Sequence, residues 1–493
     1  MSYLSQGVDA ALLVDRSLAY PDSAASFSPD THYPEYPFSS TSSFANPVYE
    51  GVRNLLAASG LDEKRRGTAS WNPLGCYIAA GDSVFVLCNF VYHRKSREHL
   101  SDFQAKCVHG SVLRAVIDYV LIAVGPKGNV SFGNAPVQAC NWERVLAETE
   151  AQAVLRFYAR ERVNVRAEDL RMVVASHSGL GRVLTCDVMA DERLAATIDL
   201  GDESLLAHLP APSSEHHVRF RVSDYDPRST EAYHQEGAHR YVVNKAVLNS
   251  DAVVSLSKLK THNKVGITCG LKGFVGSVAH KGCLAHHRFG PPSRGGDEYS
   301  DSLSMLLPVS RFYDWVLKQD SSRKGIGGIQ IVDRSVKRIL RQMGLDMAGS
   351  WSGNDTAWRM ALDIARILTY SDPSGNIEDE RQRRHLSFID GIVAGEGEGP
   401  LAPSAAQAGA LVFSEDVASG DRVAARLMGF DPDAFPIIRE ALSPCTCPIS
   451  RGSGNLRIVQ GARAVGEVEI EPVLGRQFRL PRGWRIDPAP KNG

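Results

Sequence analysis

Short apolar runs alternate with amphipathic stretches through most of this chain. Residues 84–88 (VFVLC) and 252–256 (AVVSL) are too short for helices and rich in β-branched residues, so they predict strands buried on both faces. Residues 129–134, 171–175 and 388–393 predict further strands. Between them, 110–124 sets Val112, Val116, Tyr119 and Val120 on one face, and 142–162 sets Trp142, Leu146, Ala153 and Phe157 at helical spacing. Strand, helix, strand, helix, strand in this order predicts an α/β fold with mainly parallel sheets and helical crossovers. Residues 47–61, 238–251, 303–318, 356–369 and 416–428 read as further helices. Residues 180–225 alternate over short spans between turns and predict a small antiparallel addition.

The pattern divides the chain into four parts. Residues 1–45, rich in Ser, Pro, Tyr and Asp, predict an irregular, extended segment. Residues 46–245 predict an N-terminal α/β lobe carrying the small β insertion, and 246–445 a C-terminal α/β lobe. Residues 446–493 predict a β-rich tail, with strands in LRIVQG, EVEIEPV and QFRL. A cleft between the lobes is the expected place for a ligand. The polar, glycine-rich stretch 280–301 reads as a loosely packed lid.

One stretch carries more polar chemistry than packing requires. The buried run 252–256 leads directly into Lys258, Lys260, Thr261, His262 and Lys264, and then into Gly266, Thr268, Gly270, Lys272, Gly273 and Gly276. Cations, a hydroxyl and free backbone N–H groups after a buried strand suit an anionic group. The spacing is not that of a nucleotide-binding P-loop, so nucleotide binding does not follow. Asn89, His93 and Asn134 follow two earlier strands, where ligands collect in open α/β sheets. An asparagine there offers a donor and an acceptor, or simply caps a turn. Asp390, Glu396 and Glu398 lie in or before a Gly-Glu-Gly-Glu-Gly-Pro loop. They read either as ligands to a divalent hard cation such as Mg²⁺, or a general base, or as a solvated acidic turn. His280, His286 and His287 are the candidate transition-metal ligands, with His262 as a further member. Asp416 suits the N-cap of the helix at 416–428, whereas Asp421 lies beyond its first turn.

The string SLSKLKTHNKVGITCGLKGFVG (255–276) resembles the signature of the domain-of-unknown-function 362 family, a set of bacterial and archaeal proteins. GDSVFVLCNFV (81–91), FIDGIVAGEGEGP (388–400) and LVFSEDVASGDRVAARLMG (411–429) fit the same pattern in the same order, over about residues 75–430. Many members of that family carry an attached ferredoxin-like cysteine cluster. A more distant similarity joins His262 and Lys272, ten residues apart across a glycine-rich segment, to the nickel-pincer lactate racemases. In those enzymes the lysine tethers the cofactor and the histidine works beside it. The resemblance thus implies a covalent cofactor on Lys272, against an ordinary electrostatic lysine on the bare reading of the residues.

Composition narrows the partners. The 493 residues carry a formal net charge of −1, which argues against a dedicated nucleic-acid binder. No apolar run of membrane-spanning length stands out and the start has no signal-peptide pattern, so the cytoplasm is the expected compartment. Nine cysteines are scattered without a CxxC pair, so the chain carries no cysteine-ligated iron–sulfur motif.

The expected role is an enzyme, an isomerase or oxidoreductase, acting on a small carboxylate- or phosphate-bearing metabolite. In that reading Asn89, Asn134, Lys258, Lys260 and Thr261 bind the substrate, and His262 and Lys272 act on it. Two other classes fit the same residues: a redox accessory protein using a partner-supplied cluster, and a non-catalytic ligand-binding protein.

Overall fold

Ten strands join into one sheet, drawn from both ends of the chain and from its middle. The computed structural model describes residues 8–22, 26–177, 183–187, 192–209, 220–222, 225–319, 335–336, 339–340, 345, 347–443, 448–450 and 456–486. In chain order the main strands are β1 (Ala10–Val14), β2 (Ser83–Cys88), β3 (Asn129–Asn134), β4 (Val165–Asp169) and β5 (Ala252–His262). They continue with β6 (Arg384–Glu398), β7 (Ala402–Ser414), β8 (Ile458–Gln460) and β9 (Arg463–Val465). Across the sheet the order is β9-β8-β1-β7-β6-β5-β2-β3-β4, with the two-residue strand Gly266–Ile267 folding back on β5. From β6 to β4 all neighbours are parallel, while β6 and β7 form an antiparallel hairpin.

The central strands are apolar at successive positions because both of their faces are covered. Val84, Val86 and Cys88 enter one core and Phe85 and Leu87 the other. Helices Pro47–Ala58, Gly110–Val124 and Ala151–Arg160 pack on the first face. Helices Cys269–Gly273, Ala357–Tyr370, Val417–Leu427 and Pro436–Ala441 pack on the second. The result is a three-layer α/β/α arrangement, which places the ends of the parallel strands between the two helical layers.

The first helical layer is locked by a buried polar network. Asp118 accepts hydrogen bonds from Arg114 Nε (3.0 Å), Tyr158 Oη (2.6 Å) and Tyr49 Oη (3.1 Å). Both charged side chains are fully buried, and the Arg114 guanidinium lies 3.4 Å from the Phe157 ring centre. The stretch Leu100–Lys127 is long and apolar enough to cross a membrane, but 89% of its most apolar window is buried within the protein. Asp102, Lys106, His109, Arg114 and Asp118 interrupt it in the sequence, which is why no continuous apolar run stands out there.

Several elements differ from the sequence-based expectation. One sheet replaces the two expected sheets, because β5 pairs with β2 on one side and β6 on the other and so joins the supposed lobes. The supposedly irregular N-terminus contributes β1, whose five residues pair with β7. Residues 238–244 form a strand against Ala195–Asp199, and only Lys245–Leu248 is helical. The expected helix at 142–162 breaks at Glu150, which takes a left-handed φ of 65°, while the Thr149 carbonyl accepts the Gly110 N–H at 2.7 Å. The fourth parallel strand is Val165–Asp169 rather than 171–175; as an edge strand it is half-exposed and shows no apolar run. Val173–His177 instead pairs with Val183–Asp187. Residues 280–301 are mostly buried rather than loose, held by Asp297 and Glu298, which accept backbone N–H groups of Arg288 and Gly290. In the tail, only the first expected strand and Arg463–Val465 form; 467–469 is a 3₁₀ turn.

Candidate functional site

β5 outruns its neighbour β2, and all eleven of its residues are buried. Two lysines at its end therefore lie inside protein, and each has found a different solution. Lys258 Nζ meets Asp390 Oδ2 at 2.9 Å and also donates to the Tyr20 hydroxyl. Asp390 further accepts Tyr20 Oη (2.7 Å), His109 N (3.2 Å) and Ile392 N (3.2 Å). Burial pulls the Lys258 ammonium below its usual value and Asp390 pulls it back. This is a closed structural ion pair that ties the N-terminal segment to the sheet. Lys258 and Asp390, expected as a substrate ligand and a metal ligand, are instead committed to each other.

Lys260 has no carboxylate partner among the described residues. Its Nζ donates to Asn89 Oδ1 at 2.5 Å and to the Lys106 carbonyl, and burial pushes it down to about 7. Sequence reasoning proposed Asn89 and Lys260 for one site, and the structure places them in direct contact. Thr261 is committed elsewhere, since its hydroxyl donates to the Gly397 carbonyl at 2.8 Å and so holds the end of β6.

Beyond Thr261 the chain turns through Gly266, whose φ of +83° suits only glycine and where a Cβ would fall 2.3 Å from the Phe435 ring, leaving no room for a side chain. His262 Nδ1 accepts the Lys264 N–H at 3.1 Å, which assigns the ring proton to Nε2. The short helix Cys269–Gly273 follows, and its first free N–H groups are capped from another element. Asp421, on helix Val417–Leu427, accepts Gly270 N at 2.6 Å and Leu271 N at 2.9 Å. Burial pushes the Asp421 carboxyl up to about 7 despite these bonds. Its contribution is to fix the helix that carries Lys272.

Lys272 faces a group of other bases. Burial and then Lys264 push it down to about 8, and it keeps partial exposure. Lys281, buried in the 3₁₀ turn Lys281–Cys283, is pushed down to about 7 by burial and then by Lys272. Burial, Lys272 and Lys264 hold His262 well below its usual value; burial, Lys264 and Lys272 do the same to His286. His287 is lowered by burial, Lys264 and Arg221. Neither Lys272 nor Lys281 has an ion pair or side-chain hydrogen bond among the described residues. The buried Nδ1 atoms of His286 and His287 likewise have no hydrogen-bond partner among the described residues. Among the described residues the carboxylate that acts on Lys281 is Asp169, and it is bonded to Arg171 at 2.6 Å. Asn134 borders the group: Gly276, just past Lys272, packs against its side chain, its Nδ2 donates to the Phe90 carbonyl at 3.0 Å, and its buried Oδ1 is unpartnered. His93 lies apart, accepting Asn141 N at 3.0 Å as a loop cap.

The acidic loop does not build a cation site. Glu396 accepts Arg476 Nη1 (2.9 Å), Arg476 Nη2 (3.0 Å), Arg479 Nε (2.8 Å) and Arg479 N (2.9 Å), while Glu398 accepts Arg482 N at 3.0 Å. With Asp390 on Lys258, Glu396 on Arg476 and Arg479, and Glu398 on Arg482, the three carboxylates share no partner. Among the described residues no group of three His, Cys, Asp or Glu side chains converges as metal ligands, the histidines at 280, 286 and 287 included. What the acidic loop does is clamp the C-terminal segment, whose Trp484 Nε1 donates to the Asn263 carbonyl at 2.7 Å beside the lysine turn.

That clamp is testable. Burial alone would raise the Glu396 carboxyl, but the bonds from Arg476 and Arg479 outweigh it and hold it down at about 2. A carboxyl lowered in the folded state stabilises the clamp above its ordinary value of 4.5, and that contribution is lost as pH falls towards 2. Glu396→Gln is expected to speed tryptic cleavage after Arg476 and Arg479 several-fold at neutral pH. Unchanged cleavage would show that the segment is held by its apolar contacts instead.

Two contributors were missed in the sequence. Lys281 stood in a stretch (HKGC) read as a polar lid, and nothing local distinguishes it. Asp421 was noted only as a poor cap for its own helix, which was the available hint that it serves another.

No curated protein and no solved structure matches the chain, and the similarity to the nickel-pincer lactate racemases finds no support there. Residues 208–426, from before β5 to the end of the helix bearing Asp421, match the family model described as Domain of unknown function (DUF362), and the chain carries a domain of that family.

Proposed function

We propose that this protein is an enzyme that binds a small anionic metabolite at the end of β5, through Lys272 and Lys281 with Lys264 beside them. The observation that carries the reading is the concentration of buried and half-buried basic groups there without a free carboxylate among the described residues. Unbalanced buried cations cost stability, so their natural counter-charge is a ligand. Their position beyond the carboxyl ends of parallel strands is where open α/β sheets take ligands. His262, neutral and protonated at Nε2, serves as a hydrogen-bond donor that polarises a ligand oxygen rather than as a general base. Lys260, bonded to Asn89, is near enough to lower His262 as well.

Thermal-shift titration with paired metabolites tests this reading. Phosphorylated and carboxylated compounds are expected to raise the melting temperature, and their neutral counterparts, such as glycerol beside glycerol phosphate, are not. Lys272→Ala is expected to remove the shift. Equal effects from neutral and anionic partners, or none from any anion, would refute it.

A further inference from the structure

We infer that residues 476–484 form a strap that shuts the lysine turn, and that the turn is reached only when the strap lifts. That the uncovered turn takes an anion rests on the reading above; the strap itself rests on contacts alone.

Two segments cover residues 262–266. The first is the strap: Trp484 Nε1 donates to the Asn263 carbonyl at 2.7 Å, and its ring centre lies 6.2 Å from that of Phe435. A Cβ on Gly266 would fall 2.3 Å from Phe435 and 2.9 Å from Trp484, so the bare glycine lets both rings close on the turn. The second is the loop 348–354. The Lys264 ammonium donates to the Ala348 carbonyl, and Asn263 Nδ2 donates to Ser350 Oγ at 3.1 Å. Asn354 Nδ2 donates to the His286 carbonyl at 2.9 Å, so the same loop also holds the histidine stretch. The strap fastens this loop in turn, because Ser352 N donates to the Gly483 carbonyl at 3.1 Å. A Cβ on Gly483 would fall 2.2 Å from the Ser350 carbonyl oxygen, which measures how closely strap and loop meet.

The shut state carries a cost, and its fastening is at the surface. Asn263 Oδ1 and the Nδ1 atoms of His286 and His287 are buried without a hydrogen-bond partner among the described residues. Dry polar atoms are unfavourable, and lifting the cover returns them to water. Ala348 also holds a left-handed φ of 64°, which strains the loop that takes Lys264. Against this, Glu396 holds Arg476 and Arg479, whose side chains are 52% and 61% exposed, and Glu398 holds Arg482, 60% exposed. Ion pairs so exposed weaken with salt and can part without disturbing the core. The buried side chains of the strap are Phe478, Pro481 and Trp484, so a small apolar contact backs the ionic one.

Acetylation of the full chain by sulfosuccinimidyl acetate, read lysine by lysine by peptide mass spectrometry, tests the strap without any ligand. Lys264 is 9% exposed beneath the cover, and Lys64, exposed at the surface, is the internal control. Arg476→Gln with Arg479→Gln removes two surface anchors, neither of which bonds to residues 262–354. Lys264 labelling is expected to quicken about tenfold in that variant, with Lys64 unchanged. Wild type in about 1 M sodium chloride should show a several-fold rise at Lys264 beyond any at Lys64. Unchanged labelling of Lys264 in the double variant would overturn the inference, whether or not trypsin cuts the strap more readily. Faster labelling with no thermal shift from sodium phosphate would leave the strap standing and count against the anion-site reading alone.

Discussion

Lys281→Met is expected to make the ligand-free protein more stable, by about 1–4 kcal/mol, while removing most of its anion affinity. The sign is opposite to that of most substitutions of buried residues. Lys281 is 7% exposed, has no ion-pair partner among the described residues, and shares its surroundings with Lys272 and Arg171. Folding must either bury its charge or strip its proton, and methionine of similar length avoids both. The pH dependence identifies the cause. The folded value of about 7 lies below the ordinary 10.5, so the unfolded chain binds more protons between those limits. Wild-type stability should therefore rise with pH across that window as the penalty fades, and the advantage of the variant should shrink. Denaturant unfolding of both proteins at pH 7 and pH 9.5 checks this. A variant less stable than wild type by 1 kcal/mol or more at pH 7 would mean that Lys281 is a structural partner and not a ligand-binding group.

The sequence displayed charges but not their partners, and that distinction decides what was legible. The alternation of apolar runs was enough for the parallel core, because β2, β3 and β5 are buried on both faces and look so. It failed at β4, where an edge strand has no need of apolar residues, and at 238–244, where a strand ends in a short helix and borrows its pattern. At the site, Lys258 and Lys272 look alike in the sequence. Lys258 is neutralised by Asp390, more than a hundred residues away, while no ion-pair partner of Lys272 is found among the described residues. The acidic loop misled for the same reason: Glu396 and Glu398 answer to Arg476, Arg479 and Arg482 in the tail. Asp421 was detectable only as an acid without a local job.

The largest loss of stability is expected at Asp118, far from the basic cluster but coupled to its scaffold. Asp118→Ala should cost about 3–5 kcal/mol, because it strands the Arg114 charge in a fully buried place. It also removes the acceptor of the Tyr49 hydroxyl and leaves the Tyr158 hydroxyl only the Arg114 carbonyl at 3.4 Å. The double variant Arg114→Met with Asp118→Leu removes both charges and keeps the volume, so it should recover a substantial part of that loss. Urea midpoints for the two single variants and the double variant measure the coupling. The consequence reaches the site through one helix. Gly110–Val124 begins at His109, whose backbone N–H donates to Asp390, the partner of Lys258 at the end of β5. Loosening the helix should therefore weaken the pairing that seats Tyr20 and the N-terminal segment, which amide exchange at residues 10–20 would register. If Asp118→Ala costs less than about 1 kcal/mol, the network is not the lock of this layer. The arginine stacked on Phe157 would then be held by its ring contacts and by its bonds to the Ser26 carbonyl and the Tyr36 hydroxyl.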